Sequence, residues 1–248
     1  MTDTTPPPRG LLSPRTALFL DFDGTLASLQ DDADAVRLPE GGAAFLSSLA
    51  GRLGGAVAFV TGRDVTDIAA RVPQDLWRAG NHGSIVAAPG EDAGALDRPA
   101  PPGALSGRIE TLIARHGRPG VYLERKGRVL AVHTRAAPET EAPLADALGA
   151  LARDTDGFVF QHGNAVLEIK PEGANKGAAI TALMDRPAFA GRTPLFLGDD
   201  TTDEDGFAAC HHLDGDAIKV GAGPTCAHYR LPDPDAVWRW LKDAADDL

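Results

Sequence analysis

The sequence predicts an α/β fold, in which a parallel sheet with helices on both faces is interrupted by a smaller α+β domain. Three continuous apolar runs are typical of strands buried on both faces of a sheet. Helical patterns lie between and after these runs, and strands that alternate with helices indicate a parallel sheet. The predicted strands are residues 17–20, 56–60 and 195–197, and the predicted helices are residues 41–53, 64–71, 176–184 and 203–209.

The α+β domain is predicted in the middle of the chain, because the pattern of a helix followed by a β-hairpin occurs there twice. Strands joined by such short turns pair antiparallel, and the recurrence indicates an internal structural repeat. The predicted order is helix 105–116, strands 121–125 and 128–134, helix 139–154, and strands 158–161 and 165–170.

Proline- and glycine-rich segments at residues 89–103 and 171–173 bracket this repeat and are typical of linkers. We therefore expect the repeat to form a small α+β domain that is inserted into the α/β core. The expected boundaries are residues 1–92 for the first part of the core, 93–171 for the inserted domain and 172–248 for the second part of the core.

Composition and charge narrow the function classes. The chain has 35 acidic and 24 basic residues and a net charge of −11, whereas a nucleic-acid binder needs a basic face. Its apolar runs are too short to cross a membrane. Cys210 and Cys226 fit neither a CxxC motif nor a disulfide framework, so we expect reduced thiols in a cytoplasmic protein, with a single bridge between them as the alternative. Residues 1–15 carry Pro6-Pro7-Pro8 and no apolar signal-peptide segment, so we expect a disordered tail.

Two carboxylates, Asp21 and Asp23, follow the first predicted strand. Residues at i and i+2 on a loop that leaves a buried strand can point toward one ligand, and Gly24 lets the backbone turn. Two close like charges repel, so the arrangement makes sense if a cation lies between them. A solvated acidic turn is the alternative, but it does not account for the preceding strand, the glycine and Thr25 together.

A second acidic cluster follows the third predicted strand, with five carboxylates within the seven residues 199–205. These groups would repel one another strongly without a metal, and oxygen-only ligands suit Mg²⁺. Acids that favour a helix dipole account for Glu204 and Asp205. They do not account for Asp199, which lies at the strand end. Because ligands bind beyond the carboxyl ends of parallel strands, this position predicts a metal site.

Phosphate-binding groups are predicted at two further positions. Thr61-Gly62-Arg63 offers a hydroxyl group, a flexible backbone and a helix N-terminus to phosphate oxygens. Lys176, which follows Asn175, offers a point charge at the start of a helix. Each signal is weak alone, because Thr-Gly is a common turn and most lysines are solvated.

Together, these segments resemble the four motifs of the haloacid dehalogenase superfamily, namely DFDGTL, VTGR, the lysine of NKG and GDDTTDED. VYLERKGRVLAVHTR and VLEIKPEGANKG resemble the trehalose-6-phosphate phosphatase family, including its cap of two helix-hairpin units. The resemblance covers residues 17–223 and implies a Rossmann-like core with an inserted α+β cap. One departure is Asn81-His82-Gly83-Ser84, where the family usually has an aliphatic residue before the histidine and Ala-Glu after the glycine.

The resemblance also implies a mechanism. Asp21 would form an aspartyl phosphate, and Asp23 would protonate the leaving sugar oxygen and then activate water. Mg²⁺ would be held by Asp21, the backbone carbonyl of Asp23 and Asp199, with Asp200 or Asp203 touching it directly or through water. The other implied contacts are Thr61 and Lys176 with phosphate oxygens, and Gly62, Arg63, His82 and Asn175 with the substrate.

The implied reaction is the hydrolysis of trehalose 6-phosphate, the final step of trehalose biosynthesis, with trehalose-6-phosphate synthase as a pathway partner. In the cap, Glu124, Lys126 and Glu168 match the family's sugar-binding positions, and Arg135 and Lys170 are further polar candidates. Polar residues that alternate along a half-buried hairpin can instead face water. For Arg135 and Lys170 both interpretations stay open.

Three other functions stay open. A phosphatase for another sugar phosphate, of the sucrose or mannosyl type, shares the core motifs and differs in the cap. A phosphomutase returns the phosphoryl group to its substrate, so the release of free phosphate separates it from a phosphatase. A non-catalytic Mg²⁺-binding module would not require Asp21, Asp23, Thr61 and Lys176 to be intact. His211-His212 do not share a helix face, and we interpret them as surface residues.

Overall fold

The computed structural model describes residues 5–30, 32–163 and 165–248, and the chain forms two compact units. The first unit, the core, contains the described residues up to Leu96 together with Asn175–Leu248. The second unit, the cap, is Asp97–Ala174. The insertion expected at residues 93–171 lies within a few residues of the observed unit at both ends.

The strands and helices follow one another in the alternating order that the sequence predicts for the core. The strands are β1 Thr16–Leu20, β2 Val57–Val60, β3 Trp77–Gly80, β4 Ile85–Ala87, β5 Tyr122–Lys126, β6 Val129–His133, β7 Phe158–Gly163, β8 Val166–Pro171, β9 Thr193–Gly198, β10 Asp216–Val220 and β11 Tyr229–Leu231. The α-helices are α1 Gly42–Arg52, α2 Val65–Ala69, α3 Gly103–His116, α4 Glu141–Arg153, α5 Lys176–Met184, α6 Glu204–His212 and α7 Pro234–Ala245. In the described part of the chain, none of them is long and apolar enough to cross a membrane.

The core sheet has the strand order β11-β10-β9-β1-β2-β3-β4. Its neighbouring strands are parallel, except that β4 is antiparallel to β3. The chain leaves β1 toward β2 and later returns on the other side through β9, so the strand order reverses at β1. In open parallel sheets, ligands bind at such a switch point, beyond the carboxyl ends of the strands.

Helices cover both faces of this sheet. Successive residues of a strand point to opposite faces, so neighbouring residues of β1 contact different helices. Leu18 of β1 belongs to an apolar cluster that contains Leu46 of α1 and Trp238 of α7. Phe19 of β1 belongs to the cluster on the other face, with Ile180 of α5 and Phe207 of α6. The predicted α/β fold is confirmed, and its three predicted strands correspond to β1, β2 and β9.

The sequence did not predict β3 and β10, because each has a charged residue within an apolar run. Arg78 of β3 is fully buried, and its Nη2 donates to the backbone oxygen of Ala88 at 2.6 Å. Lys219 of β10 is buried as well. A charged side chain that finds a partner inside the protein interrupts the hydrophobic pattern without interrupting the strand.

The expectation of a disordered tail at residues 1–15 is wrong for residues 5–15. Thr5 forms a bridge with Tyr229, Leu12 is buried, and the indole of Trp240 donates to the carbonyl of Pro7 at 3.0 Å. Proline lacks an N–H group but keeps its carbonyl, so this segment is anchored through carbonyl and side-chain contacts. Residues 1–4 lie outside the described residues.

The cap is an α+β unit with a four-stranded antiparallel sheet in the order β5-β6-β8-β7. One face of this sheet packs against the two cap helices, where Leu130 and Val132 of β6 join Ile109 of α3 and Leu148 of α4. The alternate residues of the same strands form the opposite face, which we call the polar face. The prediction of a separate antiparallel sheet built from two helix-hairpin units is confirmed.

Candidate active site

Asp21 directly follows β1, in the middle of the core sheet. Its side chain is buried, and its backbone N–H donates to the carbonyl of Leu197 in β9 at 2.9 Å. The hydroxyl of Thr25 donates to Asp21 Oδ2 at 3.2 Å and to Asp199 Oδ1 at 3.5 Å. The loop after β1 therefore fixes Asp21 and links it to Asp199.

Three carboxylates meet at this end of the sheet. Asp21, Asp199 and Asp203 each have an oxygen within 4.8 Å of the other two. Asp203 is fully buried, and its Oδ2 accepts a hydrogen bond from the N–H of Asp200 at 2.8 Å. The carboxylate of Asp200 instead accepts from the N–H of Thr201 at 2.7 Å. From the sequence, Asp200 and Asp203 were equal candidates for a contact with the metal. In the structure, only Asp203 belongs to this group of three.

Lys176 supplies a positive charge to the three carboxylates. Its Nζ donates to Asp21 Oδ1 at 2.7 Å and to Asp203 Oδ1 at 2.6 Å. Burial alone would lower the pKa of Lys176, but the carboxylates of Asp203 and Asp21 raise it well above its ordinary value. The ammonium group therefore stays charged, and one positive charge faces three carboxyl groups.

The surplus of carboxyl groups fits a hard divalent cation. Burial raises the pKa of Asp21 well above its ordinary value, and Asp203 and Asp199 add to that effect against the opposing charge of Lys176. Burial and Asp203 likewise raise the pKa of Asp199 to about 6. Such shifts indicate carboxylates that lack enough positive charge nearby. Carboxylate oxygens are the protein ligands that Mg²⁺ prefers, so these residues fit a magnesium site.

Gly24 allows the loop after β1 to approach Asp199 closely. Its φ is +75°, in the left-handed region that glycine adopts without steric cost. A Cβ atom at this position would lie 2.0 Å from Asp199 Oδ2. Any side chain here would displace the carboxylate of Asp199.

The carboxylate of Asp23 is bound by Arg63. Nε of Arg63 donates to Asp23 Oδ2, and Nη2 donates to Asp23 Oδ1, both at 2.6 Å. Nη1 donates to Asp67 at 2.7 Å. The planar guanidinium group matches a carboxylate in this two-pronged way. The sequence led us to expect a cation between Asp21 and Asp23, and a role for Arg63 in substrate binding. In the structure, the positive group beside Asp23 is Arg63.

Thr61 begins the loop after β2 and is buried. Its Oγ1 accepts a hydrogen bond from the N–H of Arg63 at 3.2 Å, and its carbonyl accepts one from the N–H of His82 at 3.0 Å. The ring of His82 lies against Gly62, where an added Cβ atom would be 2.8 Å from the ring. Gly62 and His82 therefore pack together beside Thr61, as parts of one loop cluster.

Asn175 caps the helix that Lys176 opens. Its Oδ1 accepts a hydrogen bond from the N–H of Ala178 at 2.8 Å, which satisfies one of the free donors of the first helical turn. This cap fixes the start of α5 and therefore the direction of Lys176. The family resemblance implied a contact between Asn175 and the substrate, whereas in the structure the side-chain oxygen of Asn175 binds the helix.

The three sugar-binding candidates of the cap are neighbours on its polar face. Strand register pairs Glu124 with Ala131, and Ala131 with Glu168, so both carboxylates lie in one row across the sheet. Lys126 Nζ donates to Glu168 Oε1 at 2.9 Å. The hydrogen bond between His133 and Glu124, at 2.7 Å, lowers the pKa of Glu124. Charged groups therefore flank the small side chain of Ala131.

The two further candidates of the cap differ from each other in their surroundings. Lys170 lies two residues after Glu168 on β8, so it shares the polar face, and it is buried. Arg135 follows β6 and is exposed. The two candidates therefore differ in their exposure to solvent.

Comparison with known proteins identifies the family. The family model described as trehalose-phosphatase matches residues 19–235, which is most of the chain. The chain belongs to the trehalose-phosphatase family. The sequence resemblance to this family is thereby confirmed, and the four motif segments lie within the matched residues.

Sequences of related proteins match this member of the trehalose-phosphatase family over most of its length. A trehalose-6-phosphate phosphatase of Escherichia coli K12 is 39% identical over 242 residues, which is 93% of this chain and 87% of that protein. A probable trehalose-phosphate phosphatase of Sinorhizobium fredii is 39% identical over 218 residues, which is 83% of this chain and 77% of that protein. The C-terminal domain of a C. albicans trehalose-6-phosphate phosphatase has the same fold, with a TM-score of 0.80, 22% identity and 98% of both chains covered.

Two contacts in the site were not predicted from the sequence. Thr25 stood within a recognised motif but received no role, although its hydroxyl links Asp21 and Asp199. The Nζ of Lys219 donates to the backbone carbonyl of Asp199. The available signal was a lysine within the apolar run at residues 217–220.

We predict that the affinity for Mg²⁺ falls as the pH drops below about 6. The pKa of Asp199 is about 6 without a metal, so a proton occupies this carboxylate at lower pH and the metal must displace it. The apparent dissociation constant should rise by at least about tenfold for each pH unit below 6, because Asp21, whose pKa burial also raises, takes up a proton as well. Isothermal titration with magnesium chloride across this range measures the effect. An affinity that stays constant down to about pH 5 would contradict a metal site at Asp199.

Proposed function

We propose that this chain is a Mg²⁺-dependent phosphatase that hydrolyses trehalose 6-phosphate to trehalose and phosphate. The observation that carries the proposal is the group formed by the half-buried Asp199 and the buried Asp21, Lys176 and Asp203 at the switch point of the sheet. This group combines a carboxylate nucleophile, an ammonium group and an oxygen-only cation site. The sugar is inferred from the E. coli and S. fredii relatives, whose names specify trehalose phosphate.

The reaction divides into two displacements at phosphorus. In the first, Asp21 attacks and forms an aspartyl phosphate, while Asp23 gives a proton to the leaving sugar oxygen. In the second, Asp23 takes a proton from a water molecule, which attacks phosphorus and releases Asp21 together with free phosphate. Asp21 therefore acts in nucleophilic catalysis, and Asp23 acts in general acid–base catalysis. Because Arg63 binds Asp23 at 2.6 Å, Asp23 must exchange this partner for the leaving oxygen.

The phosphate oxygens need positive charge and hydrogen-bond donors during both steps. Thr61, the backbone of Gly62 and Lys176 are the donors in this proposal, and Asp203 holds Lys176 in place at 2.6 Å. Asp21, Asp199 and the backbone carbonyl of Asp23 would hold Mg²⁺, which supplies a compact double charge that stabilises the oxygens.

The cap would supply the selectivity for the sugar. Carboxylates accept hydrogen bonds from hydroxyl groups, and an ammonium group donates them, so Glu124, Lys126 and Glu168 can together bind several hydroxyls. Their common face on the cap sheet supports this role. The remaining substrate candidates are Arg63, His82, Asn175, Arg135 and Lys170.

The decisive experiment measures free phosphate released from a panel of sugar phosphates. Trehalose 6-phosphate should be the best substrate, and activity should disappear after chelation and return with Mg²⁺. A preference for a sucrose or mannosyl phosphate would contradict the assigned sugar. Transfer to a second sugar position without free phosphate would indicate a phosphomutase. Full activity after exhaustive chelation would contradict the role of Mg²⁺.

We predict that changing Glu124, Lys126 or Glu168 to Ala weakens sugar recognition and spares the core chemistry. Losing a hydrogen bond to a charged group costs about 1.5–3 kcal/mol, so kcat/KM for trehalose 6-phosphate should fall roughly ten- to a hundred-fold. Hydrolysis of a small aryl phosphate should hardly change. Arg108→Ala is the matched control, because Arg108 is exposed on α3, which packs against the other face of the cap sheet. A parallel fall of both activities would assign the three residues to folding of the cap instead.

We also infer that the reaction takes place in the cytoplasm, on a small molecule. Cys210 and Cys226 are both free thiols, as expected in a reducing compartment. The net charge of −11 disfavours nucleic acid as a partner. A trehalose-6-phosphate synthase would supply the substrate.

A further inference from the structure

Lys219 is a buried ammonium group that lies outside the four motifs. It is on β10, beside β9, and its exposed fraction is 4%. Strand register pairs Lys219 with Gly198, the last residue of β9. The Nζ of Lys219 donates to the backbone carbonyl of Asp199, the next residue along the chain. The side chain therefore reaches past its paired residue to Asp199, which begins the loop after β9; we call this loop the metal-binding loop.

We propose that Lys219 is a positioning residue for the cation site. By holding the backbone of Asp199, it sets the direction in which the Asp199 carboxylate points. The proposal rests on the proposed function in one respect, namely that a divalent cation binds beside Asp199. It concerns a residue that touches neither the cation nor the substrate, and acts through Asp199.

Contacts from both neighbouring strands fix Asp199. On one side, the loop after β1 contacts its carboxylate, through the hydroxyl of Thr25 at 3.5 Å and the close approach of Gly24. On the other side, Lys219 of β10 contacts its carbonyl. The carboxylate and the backbone of one residue are therefore held from opposite directions. Removing one contact leaves the strand intact but lets Asp199 rotate.

The cost of burying Lys219 supports a specific role. An ammonium group that leaves water loses solvation free energy, and proteins tolerate this only where the group is well bonded. An apolar residue would satisfy the packing of β10 without that cost. The partner of Lys219 is the carbonyl at the metal-binding loop, so the charge is retained where the backbone of that loop needs a donor.

A direct contact with phosphate is the competing role for Lys219. Together with Asp199, Asp200 and Thr201, Lys219 lines a groove of about 620 Å³. An ammonium group in such a groove could bind an anion. The carbonyl contact with Asp199 favours the positioning role. The two roles predict different changes in affinity when the ammonium group is removed. A positioning residue changes the affinity for metal, and a phosphate ligand changes the affinity for phosphate.

Lys219→Met tests the proposal, because it keeps most of the side-chain volume and removes the donor. Mn²⁺ replaces Mg²⁺ at carboxylate sites, and its binding can be measured by electron paramagnetic resonance without any substrate. Partners that orient a metal ligand typically contribute ten- to a hundred-fold in metal affinity, so we expect Mn²⁺ binding to weaken by roughly that factor. At saturating Mg²⁺, kcat should return to near the wild-type value. Lys242→Met, at an exposed lysine of α7, is the matched control and should bind Mn²⁺ normally.

Two results would overturn the positioning role. One is wild-type affinity for Mn²⁺ in a folded Lys219→Met protein. The other is unchanged Mn²⁺ binding with a raised inhibition constant for inorganic phosphate, which would make Lys219 a phosphate ligand. If Lys219→Met does not fold, Lys219→Gln decides, since it removes the charge and shortens the side chain: a loss of Mn²⁺ affinity of about tenfold or more supports the proposal, and a smaller loss contradicts it. Because the readout needs no sugar phosphate, a wrong substrate assignment would leave this test unaffected.

Discussion

Replacing Asp21 by asparagine is expected to lower turnover by at least about 10⁴-fold while the protein stays folded. An amide cannot form the aspartyl phosphate, and it is a poorer ligand for a hard cation than a carboxylate. The fold should tolerate the change, because asparagine has nearly the same shape and the backbone bond to Leu197 is kept. Burial raises the pKa of Asp21, so removing its charge relieves a desolvation cost in the metal-free protein, which offsets the loss of a carboxylate partner of Lys176.

Phosphate release and thermal unfolding, measured on the same preparation, test this expectation. Asp235→Asn is the matched control, since it makes the same chemical change at an exposed position on α7 and should leave activity intact. Substantial turnover by a folded Asp21→Asn protein, purified in parallel with the control to exclude a contaminating phosphatase, would rule out Asp21 as the nucleophile.

The sequence predicted the location of the site because apolar runs end where polar residues begin. Asp21, Thr61 and Asp199 each follow such a run. In the structure they follow β1, β2 and β9, which are adjacent in the sheet. Parallel strands bring their carboxyl ends to one edge, so the pattern along the chain becomes proximity in space.

The sequence could not predict the partners of individual side chains in the loops. Two acidic residues two positions apart were expected to share one ligand, but the backbone turns at Gly24 and the carboxylate of Asp23 pairs with Arg63. The role of Lys219 could not be predicted for another reason. A lysine within an apolar run weakens the prediction of a strand, and its partner is a backbone carbonyl, which has no signature in the sequence.

Asn81, at the departure from the family pattern, has a physical explanation. Its φ is +56°, in the left-handed region that asparagine adopts more readily than an aliphatic residue. Its Oδ1 accepts a hydrogen bond from the N–H of Val65 at 3.0 Å, and its Nδ2 donates to Asp64 at 3.2 Å. The polar residue therefore binds the start of α2, next to the Thr61 loop, where an aliphatic side chain could only pack.

Replacing Lys176 by methionine is expected to damage both catalysis and stability. The ammonium group is the donor that we assign to a phosphate oxygen, and the loss of one such donor typically lowers kcat by about 10²–10³-fold. Methionine fills most of the space but leaves Asp21 and Asp203 without the charge that lies 2.7 Å and 2.6 Å from them. Breaking a buried ion pair in this way costs about 3–5 kcal/mol, so the metal-free variant should unfold at much lower denaturant concentration.

A second substitution separates the electrostatic cause from a packing defect. In the Lys176→Met background, Asp203→Asn removes one of the repelling carboxylates, so the double variant should regain part of the lost free energy of unfolding. In the wild-type background, the same Asp203→Asn change removes a partner of Lys176 and should destabilise the protein. Mg²⁺ should stabilise Lys176→Met more than wild type if it still binds, because the cation then replaces the missing charge. If Asp203→Asn destabilises both backgrounds equally, the two residues do not interact energetically, and the charge balance assigned to this site is wrong.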